Sequence, residues 1–492
     1  MKKKTLTTLH IVILFLIATL IVTAFYIKFN YSDSNIEQLL FYSNSSLESS
    51  DNNFFVLAVK ICLPIVIILS VVIYAFFYDI TFGKTKKNIY PFKRLHKNKW
   101  FYTITLLIIS LCLPLQSIKA FDYIVKQNQN STFLEDNYIN PKDVNINFEN
   151  KRNLIYISFE SLETSLFTKE QGGIWKYEVV PELYNILNDQ DTVVFNSNKA
   201  HGMNVIRGAS YTSGSIVANN TTLPIKVNID REGYSSNNFM SGSYSLGELL
   251  NENGYNNEVI SGATLDFGGL DYFYKQHGNY NIIDPNTLKD NGYEMEETDK
   301  GKWGFNDKYL FELAKKRLEI LSQDNQPFNL NLLTIDTHFV DGYVGDYSET
   351  KYDRQYENAY ATSSKLLYEF IEYVKSKPYY KDTTIVIVGD HLIMQSNFVN
   401  DEMNKNRYAY YCIINPVNKE LKIEDRTYTA LDTFPTVVYA LGGNIEGDKI
   451  GLGVNLFSNK KTLAEKYSVK ELDAELKKKS TYYNKKILEE GE

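Results

Sequence analysis

Thr383-Thr-Ile-Val-Ile-Val-Gly-Asp-His391 is a β-branched run that ends abruptly in an acid and an imidazole. Four apolar residues in a row, Ile385 to Val388, read as a buried strand of the parallel kind, whose C-terminal end opens on the crevice where α/β folds place their ligands. Asp390 and His391 therefore stand where chemistry is usually done. Both are metal-ligand types, and a carboxylate beside an imidazole suits Mn²⁺ or Zn²⁺ better than Ca²⁺. An isolated Asp-His pair after a strand is more often a solvated polar turn, so the reading depends on what the rest of the chain supplies.

Working outward, short apolar runs alternate with amphipathic ones. Strands are predicted at Leu154 to Phe159, Thr192 to Asn196, Glu258 to Ser261, Phe328 to Ile335, Thr384 to Gly389 and Tyr408 to Ile414. Helical spacing falls at Val179 to Leu187, Ser245 to Leu250, Phe305 to Leu321, Tyr356 to Val374 and Asp432 to Leu441. That alternation predicts an α/β domain with a doubly wound sheet. Val469, Leu472 and Leu476 predict a closing surface helix near the C-terminus. The 38 tyrosines suit a glycan-facing or membrane-proximal surface, and equally the filling of a core.

The first 120 of the 492 residues are different in kind. Apolar stretches at Ile11 to Ile27, Ile61 to Tyr78 and Phe101 to Leu115 each come near the ~20 residues that cross a bilayer. Lys2, Lys3 and Lys4 precede the first, as in a signal peptide, but no convincing cleavage site follows and two more spans come after, which favours a retained anchor. Lys84, Lys86, Lys87, Lys93, Arg94, Lys97 and Lys99 separate the second and third spans, whereas the loop between the first two carries Asp33, Glu37, Glu48 and Asp51. By the positive-inside rule the basic loop is cytoplasmic and everything after Lys119 lies outside. Its flanking by two spans makes that loop a topology signal rather than a nucleic-acid patch. Cys62 and Cys112 fall in spans, so Cys412 has no intramolecular disulfide partner in the soluble part. The expected organisation is a three-helix transmembrane anchor over residues 1–119, a linker over 120–152 rich in Asn, Asp and Lys, and an extracytoplasmic domain over 153–492.

Asn153-Leu-Ile-Tyr-Ile-Ser-Phe-Glu160 is a second apolar strand that ends in an acid. Beside the strand at Thr384 to Gly389 it would bring Glu160 to Asp390, giving two carboxylates and one imidazole for a divalent ion and leaving a position for a nucleophile. Glu163 reads instead as a solvated helix residue. A nucleophile is offered by Arg207-Gly-Ala-Ser-Tyr-Thr-Ser-Gly-Ser215, a hydroxyl-rich segment that opens a helix, whose first amides favour phosphate. His338 ends a third apolar strand and could donate to a phosphate oxygen or protonate a leaving group.

Taken in order, the strand ending in Glu160, Thr212 in its Gly/Ser segment, Thr334-Ile-Asp-Thr-His-Phe-Val-Asp-Gly342, Gly389-Asp-His-Leu-Ile-Met394 and Ala430-Leu-Asp-Thr-Phe-Pro-Thr-Val-Val-Tyr-Ala-Leu-Gly-Gly443 resemble the membrane-anchored phosphoglycerol transferases. These form a branch of the sulfatase and alkaline phosphatase superfamily that also holds lipoteichoic acid synthase. The Ile-Asp-Thr-His and Asp-His-Leu-x-Met signatures look closer to the glycan-decorating phosphoglycerol transferase I group than to the synthase. The resemblance implies an alkaline phosphatase/sulfatase-like fold and one divalent ion, Mn²⁺ first, held by Glu160, Thr212, Asp390 and His391. It implies Thr212 as nucleophile and His338 as a contact to the phosphoglycerol group; Arg207 is a candidate phosphate contact without a matching family position. Lys302-Trp-Gly-Phe-Asn-Asp307 also resembles a family segment and reads as a helix start near the site. Gly262 to Gly278, by contrast, carries no basic residue before Lys275, a departure from the family pattern.

The implied activity is transfer of glycerol phosphate from phosphatidylglycerol, at the membrane, to an extracytoplasmic glycan or cell-envelope polymer through a Thr-linked intermediate, with no nucleic-acid partner. Alternatives are polymerisation of glycerol phosphate of the lipoteichoic acid synthase type, phosphoethanolamine transfer, or a non-catalytic envelope-glycan-binding relative. Sulfatase chemistry needs Cys/Ser-x-Pro-x-Arg for formylglycine, and Thr212-Ser-Gly-Ser-Ile has neither Pro nor Arg. Two-metal phosphatases need more His and Asp ligands than the six histidines of the chain readily supply. Phosphoethanolamine transferases continue Asp-His-Gly-Glu where this chain has Asp390-His-Leu-Ile.

Overall fold

The computed structural model describes residues 2–30, 35–42, 52–78, 80–82, 87–89, 98–227, 233–395, 398 and 407–489. The charges at Lys84, Lys86, Lys93, Arg94, Lys97, Asp33, Glu48 and Asp51 lie outside the described residues. The chain divides into two compact units, one of Met1–Leu39, Ser50–Val125 and Met394–Phe398, the other of Leu40–Ser49, Lys126–Ile393 and Val399–Glu492.

The first unit is built on α1 (Lys2–Asn30), α2 (Asn52–Phe77) and α3 (Lys99–Ser117). Each contains a segment long and apolar enough to span a membrane: Thr5–Asn30, Ala58–Phe77 and Lys99–Ser117. Their outward faces expose Leu9, Val12, Ile67, Ile68, Val71, Ile104 and Ile108, which suits lipid rather than water. Inside, Leu14, Ile17 and Phe77 pack together, as do Ala18, Val22 and Val66. The buried imidazole of His10 reaches Tyr78 Oη at 2.7 Å and Thr103 Oγ1 at 2.6 Å, tying α1 to the end of α2 and to α3.

The second unit centres on a seven-stranded sheet of β1 (Asn153–Phe159), β2 (Thr192–Val193), β3 (Asn256–Ser261), β4 (Asn281–Ile283), β5 (Phe328–Leu333), β6 (Thr383–Gly389) and β7 (Tyr411–Ile414). The order is β2-β7-β6-β1-β5-β3-β4, with β7 antiparallel to both its neighbours in an otherwise parallel sheet. Every residue of β5 and β6 is buried, and β1 is buried after Asn153, which demands cover on both faces and explains the apolar runs of β1 and β6; the asparagines of β5 are buried by pairing, Asn331 with Asn329 and Asn329 with Asn257 and Tyr280. Two helical layers give it. One packs α4 (Pro181–Asn188), α7 (Asp307–Leu321) and α8 (Gln355–Lys375) together; the other packs α5 (Thr212–Thr221) with α6 (Leu246–Glu252) and α9 (Thr433–Ala440). The doubly wound α/β reading of the sequence is thus the observed architecture.

Element ends differ where side chains intervene. The strand expected from Tyr408 is regular only from Tyr411, because Ala409 bridges away to Glu163 and Met203. Residues 120–152 hold helices Ala120–Gln127 and Phe133–Asn137 and a strand, Ile146–Phe148, paired with Gly443–Ile445. The C-terminal helix runs Val469–Leu476 and buries Leu472 and Leu476. Tyrosines fill the core, with Tyr156, Tyr356, Tyr360, Tyr410 and Tyr428 among the largest fully buried side chains.

Gly389, at the tip of β6, has no room for a side chain: a Cβ there would lie 1.9 Å from the Leu162 carbonyl oxygen. Gly389→Ala is expected to destabilise the domain by about 1–3 kcal/mol through overpacking. A thermal melt of the full chain should show a fall of several degrees, and an unchanged melting temperature would contradict this packing.

Candidate active site

The site forms where three parallel strands end side by side. Phe159 of β1 pairs with Gly389 of β6, so Glu160 and Asp390 leave the sheet as neighbours. On the other side Ser158 pairs with Leu333 of β5, which brings Thr334 beside Glu160. Thr334 Oγ1 accepts from Glu160 N at 2.9 Å, and Thr337 Oγ1 donates to Glu160 O at 2.6 Å, clamping that backbone from the β5 loop. The chain then turns at Ser161, a non-glycine residue at φ 53°, held by Tyr360 Oη at 2.8 Å from its carbonyl oxygen.

Glu160, Asp390 and His391 are each buried, and one ligand atom from each lies within 4.8 Å of the others. His391 Nε2 is 3.4 Å from Glu160 Oε1 and 3.5 Å from Asp390 Oδ2. Its Nδ1 is 2.9 Å from the Leu392 carbonyl oxygen, which keeps a proton on Nδ1 and turns Nε2 to the carboxylates, its lone pair available to a cation once any proton there has left. Asp390 Oδ1 accepts from Ser161 N and His391 N, each at 2.7 Å, so Oδ2 is left for the cluster. Ser161 Oγ orients Glu160 through Oε1 at 2.6 Å.

Thr212 opens α5 at the mouth of this cluster. Its Oγ1 lies 3.3 Å from Glu160 Oε2 and 3.4 Å from His391 Nε2, and it is the one residue of the helix that is not buried. Burial pushes the Glu160 carboxyl above its usual range, and the Asp390 charge adds to this. Burial alone would lower the His391 imidazole, but Asp390 and Glu160 outweigh it and raise it. Two buried carboxylates and an imidazole lone pair converging on one space form a donor set matched to a divalent cation.

His338 stands on the neighbouring loop. Its Nδ1 is 2.6 Å from Phe339 O, and its ring meets Trp303 edge-on at 4.7 Å. Burial, then the His391 charge, push its pKa down to about 3. With Nδ1–H directed to the Phe339 carbonyl, Nε2 is the ring nitrogen left for a substrate group. Trp303 belongs to the segment that leads into α7, where Asn306 caps the helix by accepting from Tyr309 N. Arg207 lies five residues before Thr212, and its amide donates to Asp473 Oδ1 of the C-terminal helix.

Glu163 differs from the sequence expectation. It is buried rather than solvated, accepts from Arg407 Nε at 3.0 Å and from Ile393 N at 2.8 Å, and so anchors the loop just after His391. Its partner is 244 residues away in sequence, beyond the reach of local pattern. Ser161, Thr334 and Thr337 were equally invisible, being common hydroxyl residues whose roles appear only with strand register.

The Sulfatase family model matches residues 152–443, well over half of the chain and the whole of the cluster. Phosphoglycerol transferase I of Salmonella choleraesuis (strain SC-B67) is 31% identical over 331 residues, covering 65% of this chain and 41% of the relative. The Escherichia fergusonii protein of the same name is 31% identical over 313 residues, covering 62% and 38%. This chain thus spans about two fifths of the length of those relatives. Among solved structures, the lipoteichoic acid synthase LtaP from Listeria monocytogenes aligns at TM-score 0.47 and 20% identity, covering 62% of this chain and 75% of that one. The phosphoethanolamine transferase EptA from Neisseria meningitidis aligns at TM-score 0.49 and 12% identity, covering 88% and 84%. On the family match over residues 152–443, a range that includes Glu160, Thr212, Asp390 and His391, the protein belongs to the Sulfatase family.

Proposed function

We propose that this protein is a membrane-anchored phosphotransferase that moves glycerol phosphate from phosphatidylglycerol to an extracytoplasmic glycan or cell-envelope polymer. The observation that carries the reading is the half-buried Thr212 hydroxyl at a helix start, within 3.4 Å of Glu160 and His391 of the buried Glu160/Asp390/His391 set. Similarity to proteins named phosphoglycerol transferase I supports the head group. The three apolar helices support a multi-pass anchor, and the basic loop between the second and third supports a catalytic unit on the outer side.

Glu160, Asp390 and His391, with Thr212, would hold one divalent ion. Mn²⁺ suits mixed carboxylate and imidazole donors, and when bound it supplies the positive charge that favours ionised Thr212 and offsets charge on the phosphoryl oxygens. The chain's own residues do the rest. Thr212 Oγ1 attacks the phosphorus, a Thr Oγ1–P bond forms, and the P–O bond to diacylglycerol breaks. The Thr212 proton passes to solvent, and the departing diacylglycerol oxygen takes one up. In the second half an acceptor hydroxyl attacks the same phosphorus, its proton leaves, and Thr212 is regenerated with its hydroxyl reprotonated. The first amides of α5 have no partner inside the helix, which makes the Thr212 end of the helix favourable for phosphate. His338 Nε2 accepts from a hydroxyl of the glycerol group, and Arg207 is the nearest basic side chain in sequence to the nucleophile.

In phosphatidylglycerol vesicles with Mn²⁺, the full chain is expected to release diacylglycerol. Thr212→Ala should lower that release by at least roughly a thousandfold while leaving the melting temperature in place. Retained release would remove Thr212 from the reaction, and release from phosphatidylethanolamine alone would change the head group.

Metal content gives a separate check. Elemental analysis should find one divalent ion per chain, and Glu160→Gln or Asp390→Asn should reduce affinity by more than roughly tenfold. A carboxyl held above its usual range keeps its proton toward neutral pH when no ion is bound, so binding must expel it. Affinity should therefore rise with pH between about 6 and 8, with proton release on titration. A flat profile would contradict the raised Glu160 carboxyl.

A further inference from the structure

Two aromatic residues at the head of α5, Phe41 and Tyr42, come from outside the family-matched segment. Leu40–Ser49 belong to the second unit although they precede the second apolar span in sequence. The helical turn Ile36–Tyr42 ends in Phe41 and Tyr42. The Tyr42 ring stacks on Phe267 with centroids 4.6 Å apart and planes at 19°, and meets Tyr211 edge-on at 5.6 Å. Phe41 is buried and packs edge-on against Tyr234 at 5.4 Å and tilted against Tyr211 at 5.8 Å.

The Tyr42 ring and the Ser213 hydroxyl crowd the same side of Gly268, and against the upward push of burial on the phenol the Ser213 side chain, then its amide, act as hydrogen-bond donors to the phenolic oxygen. Ser213 follows the nucleophile directly, and its amide is one of the first of α5, which have no carbonyl partner inside the helix. The residue in the capping position, Tyr211, provides no side-chain cap. Gly268 makes room for the arrangement: it adopts φ +73°, and a Cβ there would lie 2.3 Å from Ser213 Oγ and 3.0 Å from Tyr42 Cε1.

We propose that Tyr42 is a positioning residue for the transfer reaction, capping the helix that presents Thr212 from the segment between the first two apolar spans. This rests on the function proposed above. In a chain with three crossings, the segment after the first crossing and everything after the third lie on one side of the membrane, so the contact is consistent with that topology. The α5 terminus is thereby held by two parts of the chain that the membrane helices separate in sequence. A soluble fragment that begins after the third span lacks the cap altogether.

The test uses the full chain in phosphatidylglycerol vesicles with Mn²⁺, comparing wild type, Tyr42→Phe and Tyr42→Ala. Tyr42→Phe keeps the stacked ring and removes the hydroxyl. Its kcat should fall about three- to tenfold, the size of one hydrogen bond, with KM for the lipid and the melting temperature unchanged. Tyr42→Ala should lose more. Equal kcat in all three, or a faster Tyr42→Ala, would overturn the proposal. Amide hydrogen exchange over residues 211–216 gives an answer that needs no turnover: exchange should quicken in Tyr42→Phe, and unchanged exchange would overturn the cap. If wild type turns over no phospholipid yet exchange responds as stated, the assigned reaction fails and the cap stands.

Discussion

The structure depends above all on the parallel pairing of β1 with β6 in one register. Phe159 opposite Gly389 makes Glu160 and Asp390 neighbours, and a slip of one residue would turn one of them into the core. Asp390 Oδ1 then bridges the two strand ends by accepting from Ser161 N and His391 N, so the ligand loops are locked to each other as well as to the sheet. The tight approach of Gly389 to Leu162 follows from the same closeness. Two carboxyls are buried within reach of each other as a result, so ionising both is costly, and a bound cation would offset that cost.

Around that pair, each element does a definable job. The β5 loop clamps Glu160 through Thr334 and Thr337 and carries His338. Helix α5 brings a hydroxyl on its first residue, where amides are still free of helix partners. Arg407 and Glu163 hold the chain that leaves His391. A rigid constellation results, with Thr212 the member left partly open to substrate.

Much of this was legible in the sequence because buried parallel strands are plain: β1 and β6 carry apolar runs, β5 alternates Leu with buried Asn329 and Asn331, and β1, β6 and β5 are followed by Glu160, Asp390 and Thr334 respectively. Their adjacency was an inference from fold class, which the sheet order bears out. What could not be read was whatever depends on partners far apart in sequence. Glu163 looks like a surface acid until Arg407 is placed beside it, and nothing local marks Tyr42 as a neighbour of Ser213. Strand ends were overextended at Tyr408 and Ile335, since apolar pattern continues where backbone pairing has already turned aside. His338 stands out in the sequence by its place after a strand, but its proton position follows only from the Phe339 carbonyl at 2.6 Å.

The central claim is that Thr212 carries the transferred group between donor and acceptor. Its most direct test is peptide mass mapping of the full chain after brief exposure to phosphatidylglycerol vesicles and Mn²⁺, with acceptor withheld. The account predicts a glycerophosphate adduct on the peptide that contains Thr212, located on that residue by fragmentation. Diacylglycerol release without any adduct, or with the adduct on another side chain, would contradict it.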